Sequence, residues 1–225
     1  MKMHLIELSN YSLAPTGSGN GLDGFYFALS KGDIYSIQAD LIDDAHNFLR
    51  ALATLTHPIK GTYLFMGEKL DFSDYRKLLP CKKKIGYIAS DSAMISNRTI
   101  RENLLLKRNY FENSLTIDLD ENTANLCRLF NIEKELDMRP AALNPLDLML
   151  AITIRELTKS PEILLLNRPE DFLGQTKFDL FTDIFKNLLV SKLPVVLLSY
   201  HIAFIEQFST KKILITDGNL TIVPV

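Results

Sequence analysis

Cysteine and histidine are scarce in this chain of 225 residues. The only two cysteines, Cys81 and Cys127, are far apart and have no CxxC partner. The sequence therefore indicates neither a disulfide framework nor a zinc site. None of the four histidines has the spacing of a metal ligand. We expect no resident metal.

Long apolar runs are also missing. The longest stretch, residues 194–205 (PVVLLSYHIAFI), is interrupted by Ser199 and His201. It is shorter than the roughly 20 apolar residues that a membrane-spanning helix needs. The N-terminal MKMHLIELSN lacks the apolar core of a signal peptide. These features predict a cytoplasmic protein with no direct insertion into the membrane.

An excess of positive charge is absent as well. Lys and Arg number 25 and Asp and Glu number 27, so the formal net charge is −2. No strong basic field is available to hold a phosphate backbone, and we expect no nucleic-acid partner. The chain is 47% hydrophobic and 23% charged, as globular domains are, and its length suits one large domain.

What the sequence does contain is an alternation of strand and helix patterns. A half-buried strand at 3–8 and the strand FYFAL enclose a Gly/Ser/Asn-rich stretch at 14–24. Because a strand and not a helix follows that stretch, it indicates a hairpin loop and not a phosphate cradle.

Further along the chain, strands alternate with amphipathic helices, which predicts a mainly parallel α/β sheet. The segments are the strand 34–38, a helix from about 41 to 55, the strands 62–66 and 85–89, a mostly helical stretch at 97–160 with a loop around 109–120, the strand 163–166, a helix at 175–190, the strand 195–199 and a closing hairpin with an Asp-Gly turn.

In order and spacing, these segments resemble the nucleotide-binding ATPase subunits of ABC transporters over nearly the whole chain. The segments that carry the resemblance are IELSNYSL with LDGFYFALSKGDIYSIQ, HPIKGTYLFMGEKL, IGYIASDSAMISNRTIRENLLL, PEILLLNRPEDFL and SYHIAFIEQFSTKKILITDGNL. The resemblance implies a P-loop NTPase-like ABC ATPase fold. A mainly parallel central sheet would carry an N-terminal antiparallel β subdomain and an inserted helical subdomain.

The resemblance also implies a domain organisation. Residues 1–225 would form a single nucleotide-binding-like domain, with 1–88 and 160–225 as the α/β core and about 89–159 as the helical subdomain.

The family's phosphate-binding loop is not preserved. Such a loop needs glycines whose N–H groups wrap the phosphates, a lysine for their charge and a Ser/Thr hydroxyl for Mg²⁺. Aligned without a gap, the corresponding positions hold Ala39, Asp40, Leu41, Ile42, Asp43, Asp44, Ala45, His46 and Asn47. We expect Asp40, Asp43 or Asp44 to serve as a helix cap or first-turn acid, in the place where the family binds phosphate.

The other positions that bind or hydrolyse the nucleotide in the family also lack the family's residues in this sequence. Tyr11 is out of register with the position of the aromatic residue that stacks on adenine in the family. Ser90 aligns with the family's metal-binding glutamine. At the signature, Leu143, Asn144, Pro145 and Leu146 replace Leu-Ser-Gly-Gly. Asn167 aligns with the family's Walker B aspartate, Arg168 with its catalytic glutamate and Gly174 with the aspartate of the next loop. Arginine is not a general base at neutral pH.

One family position is retained. His201 stands where the switch histidine contacts a γ-phosphate. Without a phosphate site, the simpler interpretation is a polar residue at the end of a strand. We therefore expect no intact catalytic site and no cofactor; ATP and Mg²⁺ would be expected only if the resemblance outweighed the lost motifs.

Three functions remain open. The first is a non-catalytic pseudo-ATPase that serves as a structural or regulatory subunit of an ABC-type membrane complex. The second is an ATP-hydrolysing subunit with residual activity, and the third is a soluble scaffold unrelated to transport.

For the first of these functions, the partners would be a membrane-spanning permease subunit, a second ABC-type subunit in a homo- or heterodimer, or both. The chain would then be peripheral at the inner face of the cell membrane. The groove that receives the permease would involve the candidate contacts Ser90, Met94, Ile95 and Asn97.

Overall fold

The computed structural model of the protein describes residues 4–111 and 118–224. Part of the loop predicted around 109–120 therefore lies outside the described residues. The elements, in chain order, are β1 (His4–Leu13), β2 (Leu22–Ser30), β3 (Ile34–Ala39), α1 (Ile42–Leu52), β4 (Lys60–Phe65), β5 (Glu68–Lys69), α2 (Tyr75–Lys82), β6 (Ile85–Ala89), α3 (Ile100–Leu104), α4 (Leu106–Phe111), α5 (Glu121–Phe130), α6 (Pro145–Thr158), β7 (Ile163–Asn167), α7 (Glu170–Leu189), β8 (Val195–Leu198), α8 (Ile202–Phe208), β9 (Lys211–Thr216) and β10 (Asn219–Pro224).

The strands form two sheets. A four-stranded antiparallel sheet has the order β2-β1-β4-β5, and a six-stranded sheet has the order β10-β9-β3-β8-β7-β6. Within the second sheet only β10 runs antiparallel to its neighbour. The predicted fold class, a mainly parallel sheet with an N-terminal antiparallel sheet and inserted helices, is confirmed.

Alternating side chains of the parallel strands enter two cores. In β7 all five residues are buried, and Leu164 and Leu166 face a different cluster from Ile163 and Leu165. One cluster joins α1 and the antiparallel sheet to the central sheet, and the other joins it to α3, α5, α6, α7 and α8. This burial on both faces explains why β7 is a continuous apolar run.

The Gly/Ser/Asn-rich stretch is a hairpin loop, as predicted, because β1 and β2 pair on either side of it. The helix predicted at 175–190 begins earlier, at Glu170, and is kinked at Gly174, whose φ of 66° is outside the helical region. Helix α2 was missed by the sequence patterns. The predicted subdomain boundaries at residues 88 and 160 stay predictions.

Candidate functional site

Helix α1 begins only two residues after β3. The strand ends at Ala39, Asp40 and Leu41 form the connection, and the helix starts at Ile42. The N-cap residue is Leu41, and no side chain accepts a hydrogen bond there. Of the two roles expected for the aspartates, helix cap or first-turn acid, the structure has the second, because Asp43 and Asp44 lie in the first turn of the helix.

The two first-turn acids bind the β1–β2 loop instead of their own helix. Asp43 Oδ2 accepts from the backbone N–H of Ser18 at 2.7 Å and from its hydroxyl at 2.8 Å. Asp44 accepts from the N–H groups of Asn20 at 3.1 Å and Gly21 at 2.8 Å. The hydrogen bonds from Ser18 lower the pKa of the Asp43 carboxyl. The two carboxylates and this loop form one unit.

Glycines make this close approach feasible. A Cβ atom at Gly17 would lie 2.4 Å from Oδ2 of Asp43, and one at Gly19 would lie 2.4 Å from Oδ1 of Asp44. Asn47, one turn along α1, donates from Nδ2 to the carbonyl of Ala14 at 2.8 Å. Loop 14–21 is thus held against the start of α1 by three side chains of that helix.

Several predicted site residues line one cavity, which we call the polar cleft. Its volume is about 360 Å³, and its lining residues are Thr16, Gly17, Asp43, His46, Asn47, Arg50, Thr56, Ser90, Asp91 and Asn167. The structure therefore brings the positions of the phosphate loop, the glutamine loop and Walker B together. Signature positions 143–146 are not among the cleft's lining residues; Asn144 caps α6 by accepting from the N–H of Asp147 at 2.9 Å.

The charges of the polar cleft are paired in ways that the sequence patterns did not reveal. Asp91, next to Ser90, forms an ion pair with Arg50 and accepts from the Tyr87 hydroxyl at 3.3 Å. Burial and the nearby Arg168 guanidinium lower the pKa of His46, so its ring is mostly neutral at neutral pH. Only adjacency to Ser90 could have drawn attention to Asp91.

Arg168 follows β7 and is engaged locally. Its guanidinium forms an ion pair with Asp171 and lies 4.7 Å from the centre of the Tyr200 ring. Glu170, which the sequence analysis did not single out, accepts from the Ser199 hydroxyl at 2.9 Å and from the Tyr200 N–H at 2.6 Å. Glu170 thereby ties the start of α7 to the segment that follows β8.

His201 is the N-cap residue of α8. Its Nδ1 accepts from the Phe204 N–H at 3.2 Å, and its ring centre lies 5.1 Å from that of Phe178. The interpretation as a polar residue at a strand end needs correction, because β8 already ends at Leu198. Tyr11, by contrast, is fully buried in the core beside Phe25.

The predicted partner contacts are divided among different surroundings. Ser90 lines the polar cleft, Met94 packs against the helical core cluster, and Asn97 is exposed. Ile95 lines a second cavity of about 540 Å³, which we call the basic groove; it is lined by Tyr75, Arg76, Leu79, Lys83, Ile95, Leu104, Leu106, Lys107, Arg155, Thr158 and Lys159. The four contacts stay predictions.

The described residues were also searched for metal-binding groups and for membrane-spanning helices. Among the described residues, no group of three or more His, Cys, Asp or Glu side chains is arranged to hold a metal ion. Across 4–111 and 118–224, no helix combines the length and apolar character needed to cross a bilayer.

The fold is that of an ABC ATPase cassette. The dimeric structure of MJ0796, a bacterial ABC transporter cassette, matches with a TM-score of 0.79 and 18% identity, over 97% of this chain and 98% of that one. A second match is cbiO1 from Clostridium perfringens, part of the ABC transporter complex cbiONQ, with a TM-score of 0.69 and 14% identity over 98% of this chain and 88% of that one.

The sequence relatives are ABC transporter ATP-binding proteins. The uncharacterized ABC transporter ATP-binding protein YvcR of Bacillus subtilis is 23% identical, over 96% of this chain and 85% of its own length. Methionine import ATP-binding protein MetN 3 of Pectobacterium atrosepticum is 22% identical over 96% of this chain and 64% of its own length. No protein-family model matches.

The chain spans 48% of a further relative, the molybdenum import ATP-binding protein ModC of Salmonella typhi, which is 27% identical over 77% of this chain. In sequence and fold, the chain is like the ATP-binding subunit of an ABC transporter, and the resemblance found in the sequence is confirmed.

Proposed function

We propose that this chain is a non-catalytic subunit of an ABC-type membrane complex, with a structural or regulatory role. The observation that carries the proposal is the start of α1. The connection from β3 has only two residues, and Asp43 and Asp44 project from the first turn onto the β1–β2 loop. Negative charge and a short turn thus stand where the resemblance implies a phosphate-binding loop.

The donor set does not fit Mg-ATP. Two carboxylates close to a triphosphate repel it by about 1–4 kcal/mol for each close pair near a surface. Ala45 offers no ammonium group for the phosphates, and Asn167 offers a neutral amide where Mg²⁺ favours a carboxylate. Arg168 is held by Asp171 and Tyr200 and supplies no general base.

The proposed partners are a membrane-spanning subunit and a second ABC-type subunit, either a copy of this chain or a different one. The MJ0796 cassette is dimeric, and cbiO1 is part of a transporter complex, which supports this kind of assembly. The basic groove, with Ile95 on its wall, is the proposed docking site for the membrane-spanning subunit. The chain would then lie at the inner face of the cell membrane.

Affinity purification of the full chain from membranes of its native host, in mild detergent, tests the proposed assembly. We expect a chain with several membrane-spanning segments to co-purify in a fixed ratio to the bait. Recovery of unrelated chains without membrane spans, and of nothing else, would contradict the proposal. The same purification is repeated with the variant Ile95→Glu, which places a carboxylate in the groove. This variant should reduce recovery of the partner.

The second candidate is an ATP-hydrolysing subunit with residual activity. It is favoured by the ATP-binding names of the sequence relatives and by the retained His201. The two candidates differ in phosphate release from Mg-ATP by the purified full chain. The proposal predicts no release above background, and His201→Ala should leave that background unchanged.

A further inference from the structure

Three side chains on one face of α1 border the polar cleft. Asp43, His46 and Asn47 are spaced at i, i+3 and i+4, which places the residues of a helix side by side. Each of the three carries a hydrogen-bond acceptor: a carboxylate, a ring nitrogen and an amide oxygen. The side chains at the start of α1 therefore offer acceptors to this cleft.

Two of these acceptors are buried and have no hydrogen-bond partner among the described residues. They are Oδ1 of Asn47 and Nε2 of His46. Asn47 is only 2% exposed, and its Nδ2 is already engaged by the carbonyl of Ala14 at 2.8 Å. Burying an acceptor without a donor costs free energy. A molecule that donates N–H groups to these atoms is therefore stabilised in the cleft.

The charges around the cleft favour a cation as the ligand. Asp91 is compensated by its ion pair with Arg50. Arg168, whose charge acts on the cleft from its edge, is compensated by its ion pair with Asp171. Asp43 differs from both, because its hydrogen bonds come from neutral N–H and O–H groups of the β1–β2 loop. One negative charge thus stays available for a positively charged ligand.

The cleft has room for a small organic molecule. Its volume is about 360 Å³, whereas one water molecule takes up about 30 Å³ in the liquid. Thr16, Thr56 and Ser90, each with a hydroxyl, and Asn167, with an amide, also line it. These groups can bind polar atoms in the remainder of such a molecule.

We propose that the polar cleft binds a small molecule that carries a primary ammonium group. The group has one positive charge and three N–H donors, which match the acceptors of Asp43, His46 and Asn47. His46 accepts at Nε2 in the tautomer that has its proton on Nδ1. This inference goes beyond the proposed function and does not depend on a membrane partner.

Titration of the isotope-labelled full chain with ethylammonium chloride, followed by NMR, tests the inference. This probe carries the ammonium group on a minimal apolar body. At constant ionic strength, we expect saturable shifts of the backbone N–H resonances of Asp43, His46 and Asn47. The dissociation constant should be roughly millimolar, because the probe has few atoms. Tetramethylammonium chloride has the same charge but no N–H donor, and it should cause no saturable shift at these positions.

Three variants connect the binding to the cleft. Asp43→Asn removes the charge and should weaken ethylammonium binding about tenfold. Asp40→Asn removes the same charge from an exposed position that does not line the cleft, and it should bind like the parent. His46→Leu removes the acceptor at Nε2, which has no partner among the described residues, and it should also weaken binding. Thermal unfolding of each variant confirms that it is folded.

Three results would overturn the inference. They are the absence of saturable shifts with ethylammonium, equal shifts with tetramethylammonium, and equal binding by the parent and by folded Asp43→Asn. None of these results decides the proposed function, which is tested by co-purification and by phosphate release from Mg-ATP.

Discussion

Among single residues, Asp43 and Asp44 distinguish this chain most clearly from the family that it resembles. A helix N-terminus attracts anions through its N–H groups and its dipole. Here two carboxylates occupy the first turn and in turn accept N–H groups from the loop at 16–21. The two acids thereby hold the loop in place, at the helix end where the resemblance implies a phosphate site.

The Asp43 contact should depend on pH. Hydrogen bonds from Ser18 lower the pKa of Asp43 below its ordinary value of 3.8, so the contact stabilises the fold above that value. The stabilisation is lost as the pH falls through the folded-state pKa. We expect the Ser18 amide resonance in NMR to titrate with a midpoint below 3.8 and to lose this step in Asp43→Asn. A midpoint above 3.8 would contradict the account.

Asp44 should matter more for stability because its side chain is buried, with 2% exposure. Asp44→Ala leaves the N–H groups of Asn20 and Gly21 without their acceptor, which we expect to cost about 1–3 kcal/mol of unfolding free energy. Urea denaturation measures the change. Asp40→Ala, at an exposed position in the preceding turn, is the control and should change stability by less than about 0.5 kcal/mol.

At the scale of elements, the segment T-I-x-E-N shows why a short motif is informative. Thr99 and Glu102 form a capping box at the start of α3. Asn103 is fully buried; its side chain accepts from the Ile95 N–H at 2.8 Å and donates to the carbonyls of Ile95 at 3.1 Å and Thr99 at 2.9 Å. The motif therefore starts a helix and also positions Ile95 on the wall of the basic groove.

Replacing Asn103 should loosen the segment 95–99. Asn103→Ala leaves buried backbone groups unpaired, at a cost of about 1–3 kcal/mol. We expect faster cleavage within 95–99 in limited proteolysis and weaker recovery of the membrane partner. Ser96→Ala, at an exposed neighbouring position, should behave like the parent. Equal cleavage rates in the two variants would show that Asn103 does not hold this segment.

Local pattern accounts for the elements that could be predicted. Strand β7 is apolar because it is buried on both faces, and α1 shows helical spacing because one face packs on the core. Helix α2 escaped prediction because Pro80 lies inside it and only Leu78 and Cys81 are buried. Elements with few buried residues leave a weak periodic signal.

For the whole molecule, the resemblance predicted which positions would meet, but not how they would be bonded. Asp43, Ser90 and Asn167 line one cleft because the carboxyl ends of parallel strands lie at one edge of a sheet. The contact of Asp44 with Gly21, the Arg50–Asp91 ion pair and the role of His201 as a helix cap depend on tertiary placement. No local pattern encodes such contacts.

Segregation of charge connects the two sites. The polar cleft contains Asp43 and the Asp91–Arg50 ion pair, whereas the basic groove is lined by five cations and, among the described residues, no acid. The proposed function attributes weak or absent nucleotide binding to the carboxylates at the start of α1. This distribution supports the proposed role, in which the chain retains the fold for contacts and not for hydrolysis.

Isothermal titration calorimetry with Mg-ATP tests the central claim most directly. An intact ABC cassette in the same buffer is the positive control, and Asn167→Asp, which restores one metal-binding carboxylate, is the matched variant. The account predicts no binding heat for the full chain or for this variant. A micromolar dissociation constant for the full chain, corresponding to about −8 kcal/mol, would contradict it.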